Sequence, residues 1–183
     1  MSPPADGPAS LTDSAAAASR MPRQTRTWYD LFALVWSSGL GSGYFPVASG
    51  TFGTLVALPF AFALSFLYEP WWAWALAVVV FTAITVQAAH RAGQIYGIVD
   101  ARYIVADEFA GLFVTLAFLP FTWQTAVFGF FVFRILDIVK PWPASYFDRK
   151  VKNGFGVTMD DVMAGVYGRI LMEVFHHLGW LTF

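Results

Sequence analysis

From residue 31 to residue 90 the chain carries a single charged side chain, Glu69. A stretch this long with so little charge belongs in lipid, where the backbone's polar groups must be satisfied locally, as a helix does. The chain therefore reads as all-α, an integral membrane helical bundle. Residues 54–68, 71–89, 109–123 and 125–139 are apolar membrane candidates, and a weaker one covers 162–181 with Arg169, Glu173, His176 and His177. That gives about four to five membrane-embedded helices. Only residues 71–89 approach the ~20 apolar residues of a clean span. The pair of segments broken at Pro120–Phe121–Thr122 is short, each covering about 20–25 Å at ~1.5 Å per residue, and suggests a helical hairpin in a thinned or tilted bundle.

The 183 residues suit one domain, at residues 27–183, behind a tail at 1–26. Pro3, Pro4, Pro8, an alanine run and scattered Ser and Thr give the tail no core-forming period, so it is expected to be disordered. Its arginines precede no signal-peptide pattern. Residues 28–36 (WYDLFALVW) read as a short interfacial helix, with Trp28 and Tyr29 at headgroup level. A net charge of −1 and the lack of any basic stripe argue against nucleic acid as a partner. With no cysteine there is no disulfide, thiolate metal site or cysteine nucleophile.

Every Lys and Arg lies in the tail, in 91–102, in 134–152 or at Arg169. By the positive-inside rule the tail and the loops near 91–106 and 140–160 face the cytoplasm, while Glu69 and Thr122 face out. Asp107, Glu108, Asp137, Asp160 and Asp161 then all fall at cytoplasmic helix ends. Ionised groups at membrane depth are costly and usually mark a function. Acids suited to a divalent cation, interleaved with bases suited to a phosphate, point to phosphate chemistry at a membrane surface.

Three acidic stretches carry that chemistry. In IVADEFAG (residues 104–111), Asp107 and Glu108 start a helix, where carboxylates offset the dipole and can cap amides. They point ~100° apart, so one can ligate a cation while the other supports it or acts as a base. In FRILDIVKPWP (133–143), Arg134 and Asp137 are spaced to pair, Pro141 ends the helix, and Trp142 suits an interfacial anchor. In FDRKVKNGFGVTMDDVMAG (147–165), the glycines suggest a turn, and Thr158 with Asp161 has the spacing of a capping box opening the last helix. Capping leaves Asp160 unexplained. Adjacent acids here suit Mg²⁺, which takes a few carboxylates and keeps several waters.

The glycine-rich stretch 37–53 either turns its amides towards an anion, making Gly50 and Thr51 candidate phosphate-binding residues, or packs tightly as Gly50-Thr51-x-Gly53. No Gly-Lys-Ser/Thr follows, so it is not a nucleotide loop. His90, His176 and His177 show no ligand pattern and read as structural.

Together GTFGTLVALP (50–59), Asp100 followed by IVADEFAG, FRILDIVKPWP, and FDR followed by GFGVTMDDVMAG resemble the phosphatidylglycerophosphatase A family from about residue 28 to 177. The resemblance implies Mg²⁺-dependent removal of the terminal phosphate of phosphatidylglycerophosphate, a phospholipid substrate, at the cytoplasmic face of a bacterial inner membrane. Asp107, Glu108, Asp137, Asp160 and Asp161 are the catalytic candidates, with Asp107, Glu108, Asp137 and Asp161 as metal ligands. Arg134, Lys140 and Arg149 are candidates to hold phosphate oxygens, Arg with two donors at once. A carboxylate would act as base or attack directly. The family has proline where this chain has Ser49, which should loosen that turn. The alternatives are a metal-dependent CDP-alcohol phosphatidyltransferase, whose compact Asp-Gly…Ala-Arg…Gly…Asp…Asp run is missing, and a small ion transporter, which would need its acids near the midplane.

Overall fold

The structure, a computed structural model, describes residues 27–181. The tail expected to be disordered lies outside them. The described residues form seven α-helices and no strand: α1 Trp28–Ser37, α2 Ser49–Ser65, α3 Trp71–Tyr96, α4 Ala106–Thr115, α5 Trp123–Val139, α6 Ala144–Lys150 and α7 Gly154–His177, with a 3₁₀ turn at Ser42–Tyr44.

α1 begins in a capping box. The Thr27 hydroxyl accepts from the Asp30 amide at 3.2 Å, and the Asp30 carboxylate accepts from the Thr27 amide at 2.9 Å. Asp30 also takes Arg91 Nε at 2.6 Å, which ties α1 to the end of α3. Trp28, Tyr29 and Phe32 stay exposed, as an interfacial helix requires. The Arg91 hydrogen bond, helped by the Thr27 amide, outweighs partial burial and holds Asp30 down at about 2, from an ordinary 3.8. A depressed carboxylate stabilises the fold fully above its unfolded pKa and loses that contribution as pH falls towards its folded value. Wild type should therefore unfold at a higher temperature than Asp30→Asn above pH 4. The gap should close between pH 4 and about 2, as a pair of thermal melts across pH would show.

α3 has 26 residues and alone among the described helices is long and apolar enough to cross a bilayer by itself. α2 starts at Ser49, five residues before the apolar run, because Gly50 and Gly53 are helical rather than loop. A Cβ on Gly50 would overlap Glu108 Oε1, and one on Gly53 would stand 2.8 Å from Val105 Cβ. Of the two readings of this stretch, tight helix packing describes those two glycines. The turn at Ser49 is not loose either. Its hydroxyl donates to the Arg102 carbonyl at 2.7 Å, a bond proline has no group to make.

α4 stops at Thr115, so residues 116–122 form turns rather than the rest of a span. This ten-residue helix is nonetheless the centre of the fold: every residue but Val114 is buried. Its free end is capped by side chains. Tyr68 donates its hydroxyl to the Leu116 carbonyl at 2.6 Å, and Arg169 Nε donates to Ala117 at 2.7 Å.

α7 starts at Gly154, not near Asp161. Asn153 caps it, accepting from the Gly156 amide at 3.0 Å. Thr158 is inside the helix and donates back to the Gly154 carbonyl at 2.9 Å, so the expected capping box does not form. Gly154, the first residue of α7, packs where α3 leaves no room for a side chain: a Cβ there would overlap the Val86 carbonyl and the His90 amide. Asp161, relieved of capping, turns into the protein. α4 and α7 pack through Gly111, Gly165 and Gly168. A Cβ on Gly168 would stand 2.6 Å from Thr115 Oγ1, and one on Gly111 would stand 2.7 Å from the Asp161 carbonyl oxygen. Small residues let the two backbones approach closely, as in membrane helix pairs.

Candidate active site

The close approach of α4 and α7 sets the site. The first turn of α4 supplies Asp107 and Glu108, the last turn of α5 supplies Asp137, and α7 supplies Asp160 and Asp161. All five are buried side chains lining one pocket of about 290 Å³. Lys140 lines it too, at the C-cap of α5 with a left-handed φ of 45°. Ser49 and Gly50 enter from the start of α2, and Asp100 and Arg102 from the α3–α4 loop. Acids far apart in sequence thus meet at one end of the bundle, as the charge distribution required.

Bases hold three of the five. Arg134 Nη1 pairs with Asp137 at 2.7 Å and Glu108 at 3.3 Å, and reaches Thr54 Oγ1 at 3.4 Å. Thr54 donates to Glu108 Oε2 at 2.8 Å. Lys140 pairs with Asp160, and with Asp148 at 3.4 Å. Burial alone would lower the Lys140 ammonium, but the Asp160 charge and hydrogen bond outweigh it and raise it above the ordinary lysine value. It therefore stays charged.

Among the described residues, Asp107 and Asp161 have no basic partner within salt-bridge distance. The Asp161 carboxyl instead meets that of Asp137 within hydrogen-bonding reach. Two buried carboxyls facing each other need a shared proton or a cation. The donors are all hard oxygens, which suits Mg²⁺. Among the described residues no group of three acids forms a ready cage for one ion.

Some candidates fall elsewhere. Arg134 makes the expected i, i+3 pair with Asp137 but stands behind Glu108 and Asp137, outside the pocket lining. Arg149 is exposed on α6, and Thr51 is exposed on α2 beside Gly50; neither lines the pocket. Asp100, Arg102 and Ser49 do line it and were not singled out as site residues. Asp100 had its signal in the motif that precedes IVADEFAG; Arg102 showed only as a basic loop residue. The histidines stay apart: His90 contacts Gln94 at 3.1 Å, His176 the Leu181 carbonyl at 3.0 Å, and His177 lies 3.5 Å from Glu173.

An apolar helical bundle with acids and bases gathered in one end pocket defines a class of membrane-associated proteins built to handle a charged group at the lipid surface. The particular family follows from comparison. The family model for phosphatidylglycerophosphatase A matches residues 35–176, and the chain belongs to that family. It is 43% identical over 141 residues to phosphatidylglycerophosphatase A of Escherichia coli K12, covering 76% of this chain and 81% of the relative. The Haemophilus influenzae protein of the same name is 36% identical over 142 residues, covering 73% and 82%. A Bacteroides thetaiotaomicron protein, named "Putative phosphatidylinositol-3-phosphatase", is 39% identical over 145 residues, covering 75% and 89%. No solved structure matches the chain.

Proposed function

We propose that this chain hydrolyses the terminal phosphate of phosphatidylglycerophosphate, giving phosphatidylglycerol and inorganic phosphate, with Mg²⁺ as cofactor. The observation that carries this is the meeting of five buried acids with Lys140 in one pocket of a family member. Lys140 and Arg102 are the bases placed to take phosphate oxygens. Asp107 and Asp161 would hold the ion, which when bound would neutralise charge on the phosphate. Asp160 keeps Lys140 protonated and fixed in place. Arg134 is a positioning residue that locks Glu108 and Asp137 against α2. Glu108 and Asp137 are thereby spent on the guanidinium, which leaves Asp107 or Asp161 to accept the proton of the attacking water or to attack phosphorus itself.

The same proposal sets the pocket at the cytoplasmic face of an inner membrane, with α3 spanning and α2, α4, α5 and α7 embedded around it. Arg91, Arg102, Lys140, Arg149, Lys150 and Lys152 gather in the segments at the pocket end, which supports this orientation. The position of Asp107, Glu108 and Asp137 in the end turns of their helices, with Asp160 and Asp161 early in α7, disfavours the transporter, and the absent transferase run disfavours the CDP-alcohol enzyme. The Bacteroides relative's name also describes a lipid phosphomonoesterase, so headgroup choice is a separate question from reaction type.

Purified protein in detergent should release phosphate from phosphatidylglycerophosphate with Mg²⁺ and lose at least nine-tenths of that release in excess chelator. Equal release in chelator would remove the metal from the mechanism. No release from folded protein would remove the phosphatase. A phosphatidylinositol phosphate offered in parallel measures headgroup selectivity.

A further inference from the structure

The two bases that line the pocket stand in different surroundings. Lys140 is committed to acids, pairing with the buried Asp160 and, at 3.4 Å, with Asp148. Arg102 is exposed and enters from the α3–α4 loop. Among the described residues it makes no ion pair, although Asp100 lines the same pocket.

Arg102 is nonetheless held in place. Its carbonyl accepts from the Ser49 hydroxyl at 2.7 Å, which ties the loop to the start of α2. Its guanidinium carbon lies 4.9 Å from the centre of the Tyr103 ring. Tyr103 packs in turn against Tyr44 and Tyr96, with ring centroids 5.3 Å and 5.4 Å away. The hydroxyls of those two tyrosines meet at 2.8 Å. Gly43 closes on the same loop, since a Cβ there would overlap the Tyr103 carbonyl oxygen. A guanidinium laid over a ring uses its face, and the N–H donors around its edge stay free to grip two oxygens at once.

We propose that Arg102 binds the inner, diester phosphate of the substrate, so that the pocket selects lipids carrying two phosphates one glycerol apart. The inference rests on the phosphatase assignment above and divides the two bases between the two phosphates. The terminal phosphate has to enter the buried part of the pocket, where Lys140 stands beside Asp160. The diester follows one glycerol behind, on the lipid side, and is an anion that the five acids repel. Arg102, at the exposed edge of that pocket, is the lining base whose charge no carboxylate has claimed. Because tyrosine rings hold it, little freedom is left to lose when the diester arrives.

The test uses dihexanoyl phosphatidylglycerophosphate, monomeric in solution, so that attraction to a lipid surface plays no part. Wild type and Arg102→Ala are assayed with Mg²⁺, with a thermal melt alongside. The two products serve as probes: inorganic phosphate reports on the inner part of the pocket, and dihexanoyl phosphatidylglycerol carries the diester alone. Arg102→Ala should melt as wild type does and raise KM about tenfold or more, the loss of a charged hydrogen-bond pair. Its kcat should stay within threefold, as removal of uniform binding requires. The inhibition constant of dihexanoyl phosphatidylglycerol should rise with KM, and that of inorganic phosphate should stay within twofold. Tyr103→Leu should share the rise in KM, Tyr103→Phe should not, and Tyr103→Leu added to Arg102→Ala should change nothing further.

An unchanged KM or a loss confined to kcat would overturn the proposal. Equal rises in both inhibition constants would overturn it by placing Arg102 on the terminal phosphate. So would a wild type that dihexanoyl phosphatidylglycerol does not inhibit. Folded wild type that releases no phosphate from this lipid or from its long-chain form would instead remove the phosphatase assignment itself.

Discussion

Asp161→Asn is expected to abolish phosphate release while leaving the protein folded and inserted. Asp161 is 4% exposed, has no basic partner among the described residues and faces the carboxyl of Asp137. An amide of the same shape removes a buried like-charge conflict, so unfolding temperature should hold or rise. On the mechanism proposed above, the same change takes away either a ligand of the cation or the group that accepts the water proton. Loss of a positioned base alone is worth about 10²–10⁴-fold in rate. The paired measurement is phosphate release and a thermal melt in the same detergent. Turnover within tenfold of wild type would take Asp161 out of the site.

Gly165→Ala should be as damaging to activity, by a different route. A Cβ at Gly165 overlaps the Gly111 carbonyl oxygen and stands 3.1 Å from the Gly111 carbonyl carbon and Cα. These are backbone atoms, so no rotamer can relieve the overlap and α7 must back away from α4. Overpacking of this kind costs about 1–3 kcal/mol. Asp107 rides on α4 and Asp161 on α7, so the shift also opens the pocket, and a misplacement of about 1 Å costs on the order of 10²-fold in rate. Unlike Asp161→Asn, this variant should lose activity and melting temperature together. A variant that melts lower yet turns over at the wild-type rate would show that the α4–α7 spacing does not set the site.

The sequence disclosed the five acids for a simple physical reason: a carboxylate in an apolar helix has few places to go except a polar interior. It also disclosed the Arg134–Asp137 pair, because helical spacing alone brings those residues together. What it did not disclose is the layer in which each base sits. Arg134 and Lys140 carry the same charge, yet one braces the acids from behind while the other enters the pocket, and only the packing of α5 against α2 and α7 decides which. Glycine was the other blind spot. Gly50, Gly53, Gly154 and Gly156 look the same whether they free a loop or admit a neighbouring backbone. Here they sit inside helices, which moved the starts of α2 and α7 towards the N-terminus and dissolved the capping role expected of Asp161. Asp100 and Arg102 lie on a loop whose path depends on tertiary contacts such as the Ser49 hydroxyl on the Arg102 carbonyl.

α4 has only ten residues, under three turns, and it is held at both ends. Tyr68 and Arg169 grip the carbonyls of Leu116 and Ala117 just past its end, while its first turn presents Asp107 and Glu108. So short a rod, packed along nearly its whole length, has no slack in which to absorb an axial push. The hydroxyl of Tyr68 and the guanidinium of Arg169, at the end remote from the pocket, therefore act as a stop for the helix that carries the two acids. A change at Tyr68 or Arg169 would thus be felt at Asp107 and Glu108, a helix length away.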